Sequence, residues 1–280
     1  SLTVPAGTSG DDEVLFRHSA AILAMAQVKE RTAYLREHLS QDGEPRKTRF
    51  GAKLGDPPAT LPATVAHRAY GAILASLPPG EWTVSWIRDG AYAVAAMAGS
   101  GMHSQARDAL GFYLGAEAGR FQSWDELKPY NMPPYQITLV RYYGFGVEET
   151  DFNAFGPNLE FDGFGLFLWA LGRYHKASGD QAFVADNWAT ISKKVADPLV
   201  ALIDPATGLL RPDSSIWETH WKGRERTWAY TNITAARGLC DAAKLADALG
   251  EAESAKVYRA AGIALRRAIA DKLTDNNHAI

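Results

Sequence analysis

The chain has 280 residues, 46% of them hydrophobic, and a formal net charge of −3. That is enough apolar sequence for a sizeable core in one domain or two, and the near-neutral balance argues against a nucleic-acid or acidic-membrane partner. With one cysteine, Cys240, no intrachain disulfide is possible, and no apolar run approaches the length of a membrane-spanning helix.

Residues 1–10 read as a lead-in segment and residues 11–280 as one helical unit. The start, Ser1-Leu2-Thr3-Val4-Pro5, has neither methionine nor a basic-then-apolar signal pattern. The expectation is a cut terminus or a start inside a longer polypeptide. From about Asp11 to Leu39 the apolar spacing predicts a helix, capped by Asp11 or Asp12. Residues 40–62, rich in Gly, Pro and charge, predict a long loop. Thr64 to Leu77 reads as partly helical and stops at Pro78-Pro79-Gly80. Trp82 to Asp89 lead into a small-residue helix near Gly90–Gly99, followed by a more polar one near Ser104–Ala118. Residues 119–160 read as irregular, and loops this long inside a compact domain are usually functional. Further helices are predicted at 163–178, 181–203, 229–249 and 251–273. Cys240 falls in the apolar pattern of one of them and reads as a small core residue.

These helices have two textures. Phe164, Leu166, Phe167, Leu168, Trp169 and Leu171 make one segment apolar nearly all round, as in a helix buried on every side. In the last one, Ala261, Leu265, Ile269 and Leu273 share a face, while Arg259, Arg266, Arg267 and Asp271 take another. Buried and amphipathic helices alternate and convincing strands are absent, which predicts an all-α fold of two concentric helical layers. An α-solenoid is the competing architecture, but no fixed-period repeat is present. The long loops precede the buried helices near residues 90, 163 and 229, so chemistry should gather at one end of the inner layer, where free helix N–H groups face a ligand.

Three motifs stand at those points. In Trp86-Ile87-Arg88-Asp89, Arg and Asp side by side suit paired bonds to adjacent sugar hydroxyls, with Trp86 as a stacking wall. The second runs from Glu148-Glu149 through Asn158-Leu159-Glu160-Phe161-Asp162-Gly163. Asp162 suits an N-cap, and Asn158 and Glu160 are placed to reach a ligand. Ordering the loop is an equal reading for Glu148 and Glu149. The third is Trp217-Glu218, followed by Arg226 and Trp228 to Asn232, where Thr231 or Asn232 suits a cap. A carboxyl against an apolar wall holds its proton more readily than one in water, and a protonated carboxyl is what breaking a glycosidic bond requires. Glu218 is therefore the candidate general acid. His220 reads as a rim residue, and Arg224 and Arg226 as structural. Eight tryptophans suit a sugar site, where flat ring faces need stacking partners.

The order of these motifs on a helical background resembles family 15 glycoside hydrolases, the glucoamylase and glucodextranase group. The resemblance runs from about residue 15 to 273. It implies an (α/α)6 toroid of inner and outer helices, of which about the first seven are present, so that residues 11–280 would form the amino-terminal portion of the barrel domain. It also implies that Arg88 and Asp89 grip the terminal glucose, that Glu218 is the general acid, and that Trp86, Asn158, Glu160, Asp162 and Trp217 line the substrate site. The expected ligand is an oligo- or polysaccharide with a terminal α-glucose. No cofactor or metal is implied, since no carboxylate cluster here suggests calcium.

The chain departs from the family pattern in length. The family has twelve helices, and its catalytic base is a second Glu in the carboxy-terminal half. An inverting reaction places acid and base roughly 6.5–9.5 Å apart around a water, so the acid alone does not complete it. The expectation is a fragment or one piece of a split enzyme, its barrel completed by a missing half or second chain. The predicted function is an exo-acting, inverting α-glucoside hydrolase. The alternatives are a non-catalytic carbohydrate-binding or regulatory module, and a trehalose-acting barrel enzyme.

Overall fold

The computed structural model describes residues 2–34, 64–66, 68–144, 146–153, 156–218 and 224–274. The predicted loop over 40–62 lies outside the described residues. Helix α1 (Gly10–Met25) is capped by Ser9, whose side chain accepts from the Asp12 N–H, rather than by Asp11 or Asp12. It also ends well before Leu39. Gln27 stops it: the buried amide donates to the carbonyls of Gln105 at 2.8 Å and Gly71 at 3.2 Å. Beside it, Val28 N–H bonds to Ala72 and Leu74 N–H to Ala26. Tertiary pairing here overrides helical spacing. Strands β1 (Thr32–Tyr34) and β2 (Thr64–Ala66) pair antiparallel, so Thr64 begins a strand and not a helix.

The inner layer is a row of three helices: α2 (Ile87–Gly99), α4 (Asp162–Ser178) and α7 (Ala229–Leu249), with α4 in the middle. Outside them lie α3 (His103–Gly115) against α2 and α4, and α8 (Ala252–Lys272) against α7. The outer segment between α4 and α7 is α5 (Gln181–Ile191), a π turn (Ser192–Ala196) and α6 (Asp197–Ala201). Sequence periodicity reads this segment as one helix. Pro198 explains the interruption, because its ring has no N–H and excludes the carbonyl four residues back. That carbonyl, on Lys194, instead accepts the Gln136 N–H at 2.9 Å.

Close packing of the inner row depends on glycine. A Cβ added at Gly165 would sit 2.3 Å from the Thr234 carbonyl oxygen, and one at Gly238 would sit 2.4 Å from that of Gly165. Helices α4 and α7 therefore meet backbone to backbone. Tyr113, 1% exposed, needs Gly90 for the same reason: an added Cβ there would fall 1.6 Å from its hydroxyl. Leu265 and Ile269 of α8 are buried, as the amphipathic reading expects. Cys240 is half-buried against Gly262 rather than deep in the core.

The region read as irregular contains short regular pieces. Asp125–Tyr130 is a 3₁₀ turn, and β6 (Phe152–Asn153) pairs with β7 (Gly156–Pro157). Strands β3 (Ser85–Trp86), β4 (Arg141–Tyr143) and β5 (Val147–Glu149) form an antiparallel sheet in which Trp86 faces Arg141 and Arg141 faces Glu149. Strands of two or three residues carry no alternation to detect, since their pairing comes from tertiary context. This small sheet delivers the chain into α2 and so positions the site.

Candidate active site

The starts of α2, α4 and α7 bring the three motifs together. Trp86 is held from below. Its ring centroid lies 5.2 Å from the Arg141 guanidinium, which donates to Glu149 at 3.0 Å and to both oxygens of Asp151. All three charged groups are buried, and paired charges are the form in which a core tolerates them. Glu148 accepts the N–H groups of Arg120 and Leu139, each at 2.9 Å, and the Tyr135 hydroxyl at 3.1 Å. Burial pushes its carboxyl up to about 7, against the pull of these bonds. Glu148 and Glu149 thus order the loop.

Arg88 is the centre of the site. From the first turn of α2, its Nη1 donates to Glu160 Oε2 at 3.0 Å and Asp162 Oδ2 at 3.2 Å, and its Nη2 lies 3.9 Å from Glu218 Oε1. Asn158 Nδ2 donates to the other Glu160 oxygen at 2.6 Å. Three carboxylates around one cation are under-neutralised. Burial, then Asp162 and Glu218, push the Glu160 carboxyl up, while Arg88 opposes them. Burial also raises Asp162, again against Arg88. Burial disfavours the Arg88 charge, yet Asp162 and Glu160 outweigh it and hold its pKa above the usual value. Asp162 is the first residue of α4 rather than its cap. Asp89, next to Arg88, is exposed. Two buried polar atoms, Trp86 Nε1 and Asn158 Oδ1, have no hydrogen-bond partner among the described residues.

Glu218 closes a 3₁₀ turn (Ser215–Trp217), and both Ser215 (φ +49°) and Glu218 (φ +52°) adopt the left-handed conformation. For non-glycine residues this costs about 1–3 kcal/mol each and persists only where surrounding bonds enforce it. Trp217 is 62% exposed, with its ring centroid 6.2 Å from that of Trp228. The Glu218 side chain is 38% exposed and faces Arg88. His220 lies outside the described residues. Arg226 pairs through its backbone with Asp213 in both directions, a structural role. Thr231 and Asn232 lie inside the first turn of α7 rather than capping it. The Thr231 hydroxyl bonds to Asp213, and the Asn232 side-chain Oδ1 accepts the Leu210 N–H at 2.8 Å.

Three residues escape the sequence reading. Asp213 is a buried carboxylate under the Glu218 turn. Tyr92 lies one turn beyond Arg88 on α2, its ring 5.4 Å from that of Trp169. Tyr230 stands at the start of α7 and is half-buried. Its pKa is pushed up by burial, by Tyr92 and by Asp162. The i, i+4 spacing from Arg88 could have found Tyr92; nothing local marks Tyr230 or Asp213.

An inner row of helices with an outer layer, and polar chemistry at the inner helix starts, defines an (α/α) toroid, of which this chain forms an arc. Residues 60–279 match the family model for glycosyl hydrolases family 15, and the chain belongs to that family. Its fold is similar to that of a wild-type glycosidase, at 18% identity and a TM-score of 0.66, over 98% of this chain and 62% of that one. A glycosidase variant in complex with glucose matches at 18% identity and a TM-score of 0.65 over the same shares. A rhamnosidase from Klebsiella oxytoca with rhamnose bound matches at 19% identity and a TM-score of 0.50, over 70% of this chain and 34% of that one. No curated protein matches by sequence. The chain thus spans 62% of the length of the glycosidases it resembles.

Proposed function

We propose that this chain is the amino-terminal portion of an exo-acting α-glucoside hydrolase that cleaves terminal glucosyl bonds with inversion. The observation that carries this reading is the convergence of Glu160, Asp162 and Glu218 on the Arg88 guanidinium. Glu218, half-exposed at the rim, gives its proton to the glycosidic oxygen as the bond to the anomeric carbon breaks. Water adds to the opposite face of that carbon and loses its proton to a carboxylate base outside this chain. Arg88 and Asp89 bind hydroxyls of the terminal sugar, and Trp86 and Trp217 shape the pocket. Glu160, Asp162 and Asn158 hold Arg88 in place, which makes the cation rigid when the sugar arrives.

The remaining part of the barrel would supply the base. That this chain covers 62% of the glycosidase whose fold it resembles supports this reading. The test is glucose release from maltose by the full natural polypeptide. E218Q should lower turnover by about 10²–10⁴-fold with sugar binding intact, because loss of a general acid acts on the transition state. Full activity in E218Q would remove Glu218 from the role. Sugar binding with no glucose release by the wild-type protein would favour a non-catalytic carbohydrate-binding module instead. A trehalose-only substrate profile would reassign the linkage.

A further inference from the structure

Asp213 takes no part in the reaction above, yet the segments that carry the site are tied to it. It is 1% exposed. Its Oδ2 accepts the N–H of Phe161, between Glu160 and Asp162, at 2.9 Å. The Thr231 hydroxyl, in the first turn of α7, lies 3.1 and 3.2 Å from its two oxygens and 2.9 Å from Ser215 Oγ. Through that shared Thr231 hydroxyl the carboxyl is joined to Ser215, the first left-handed residue of the Glu218 turn. The Asp213 carbonyl accepts Trp228 Nε1 at 2.9 Å, and the next residue, Ser214, donates its N–H to Leu159 at 2.8 Å. One side chain therefore links the turn bearing Glu218, the strand of chain bearing Glu160 and Asp162, and the start of α7.

We propose that Asp213 is the positioning residue of the general acid: its carboxyl holds the left-handed turn so that Glu218 stands at a set distance from a sugar gripped by Arg88. This rests on the reading of Glu218 as the acid. Two left-handed non-glycine residues in one four-residue turn need external bonds to persist; beside the Ser214 N–H to Leu159, the Thr231 hydroxyl shared by Asp213 and Ser215 holds the start of this turn. Proton transfer needs heavy atoms about 2.6–3.2 Å apart, and a displacement near 1 Å is enough to cost about 10²-fold in rate.

The experiment compares D213N and E218Q with wild type, in the full natural polypeptide, on two substrates. Maltose has a leaving group that needs a proton. α-Glucosyl fluoride has one that departs with little help from an acid. D213N should lose about 10²-fold in kcat on maltose, far less on the fluoride, with KM and inhibition by glucose near wild type. E218Q should show the same selectivity, more strongly. A role in stability alone would lower both substrates equally. If E218Q is selective and D213N is not, the inference about Asp213 is overturned while the acid assignment stands. If E218Q is not selective, the acid assignment itself fails and the inference falls with it. Should D213N not fold, T231V carries the same comparison, since it removes the hydroxyl that joins the carboxyl to Ser215 and leaves the carboxyl in place.

Discussion

Replacing Arg88 with alanine should destabilise the protein by an amount that depends on pH. Its Nη1 lies 3.0 Å from Glu160 and 3.2 Å from Asp162, and its side chain is 20% exposed. At an effective dielectric constant near 20, each such contact is worth roughly 5 kcal/mol of gross Coulomb attraction, much of it offset by desolvation. Removing one partner of a buried pair costs about 3–5 kcal/mol, because the other charge stays buried alone. Here the stranded groups can escape by taking protons. Burial already raises the folded pKa of Glu160 and Asp162, and losing Arg88 raises both further. A folded pKa above the unfolded one means stability is held while the group is protonated and falls as pH rises through the interval. Glu160 is already raised in the wild type and lowers both proteins alike over this range, so it is Asp162, released from Arg88, that should make R88A worse at pH 8 than at pH 5. One titrating proton changes stability by about 1.4 kcal/mol per pH unit, so three units can offset up to about 4 kcal/mol. Urea unfolding of wild type and R88A across pH 5–8 measures this. A deficit constant over that range would refute the under-neutralised cluster.

Other substitutions test other links in the argument. G165A should force α4 and α7 apart and cost about 3 kcal/mol or more, since the obstacle is the Thr234 backbone and not a movable side chain; an unchanged Tm would mean the helices do not cross there. Glu148, with a folded pKa of about 7 against an ordinary 4.5, should make wild-type stability fall by roughly 3 kcal/mol as pH rises through that window. E148Q should flatten that slope in denaturation curves, and an identical slope would exclude Glu148 as its source.

Most of the helical layering is legible in the sequence, because the apolar period of each helix reflects which sides it buries. What is not legible depends on partners far along the chain. Gln27 ends α1 by bonding to Gly71 and Gln105, and nothing near Gln27 announces them. The sheet of β3, β4 and β5 is too short for alternation to show. At the site, Arg88 and Asp162 open inner helices while Glu160 and Glu218 precede them, which is why sequence order alone brings them together. Their division of labour is different. Glu160 and Asp162 read as sugar ligands, and only their distances to Arg88 show them as its anchors. Asp213 carries no motif, and its importance lies in bonds to Phe161 and Thr231 that form after the chain has folded back.

The Arg88 cluster also has a consequence for biosynthesis. Its bonds to Glu160 and Asp162 bridge 72 and 74 residues of chain, and Glu218 follows much later. Contacts between such distant segments form late, after loop closure has been met by helix docking. A polypeptide emerging from the ribosome can thus dock α2 against α4 and assemble part of the cluster, but Glu218 joins only once residue 218 has cleared the tunnel. Until then Glu160 and Asp162 have Arg88 to themselves.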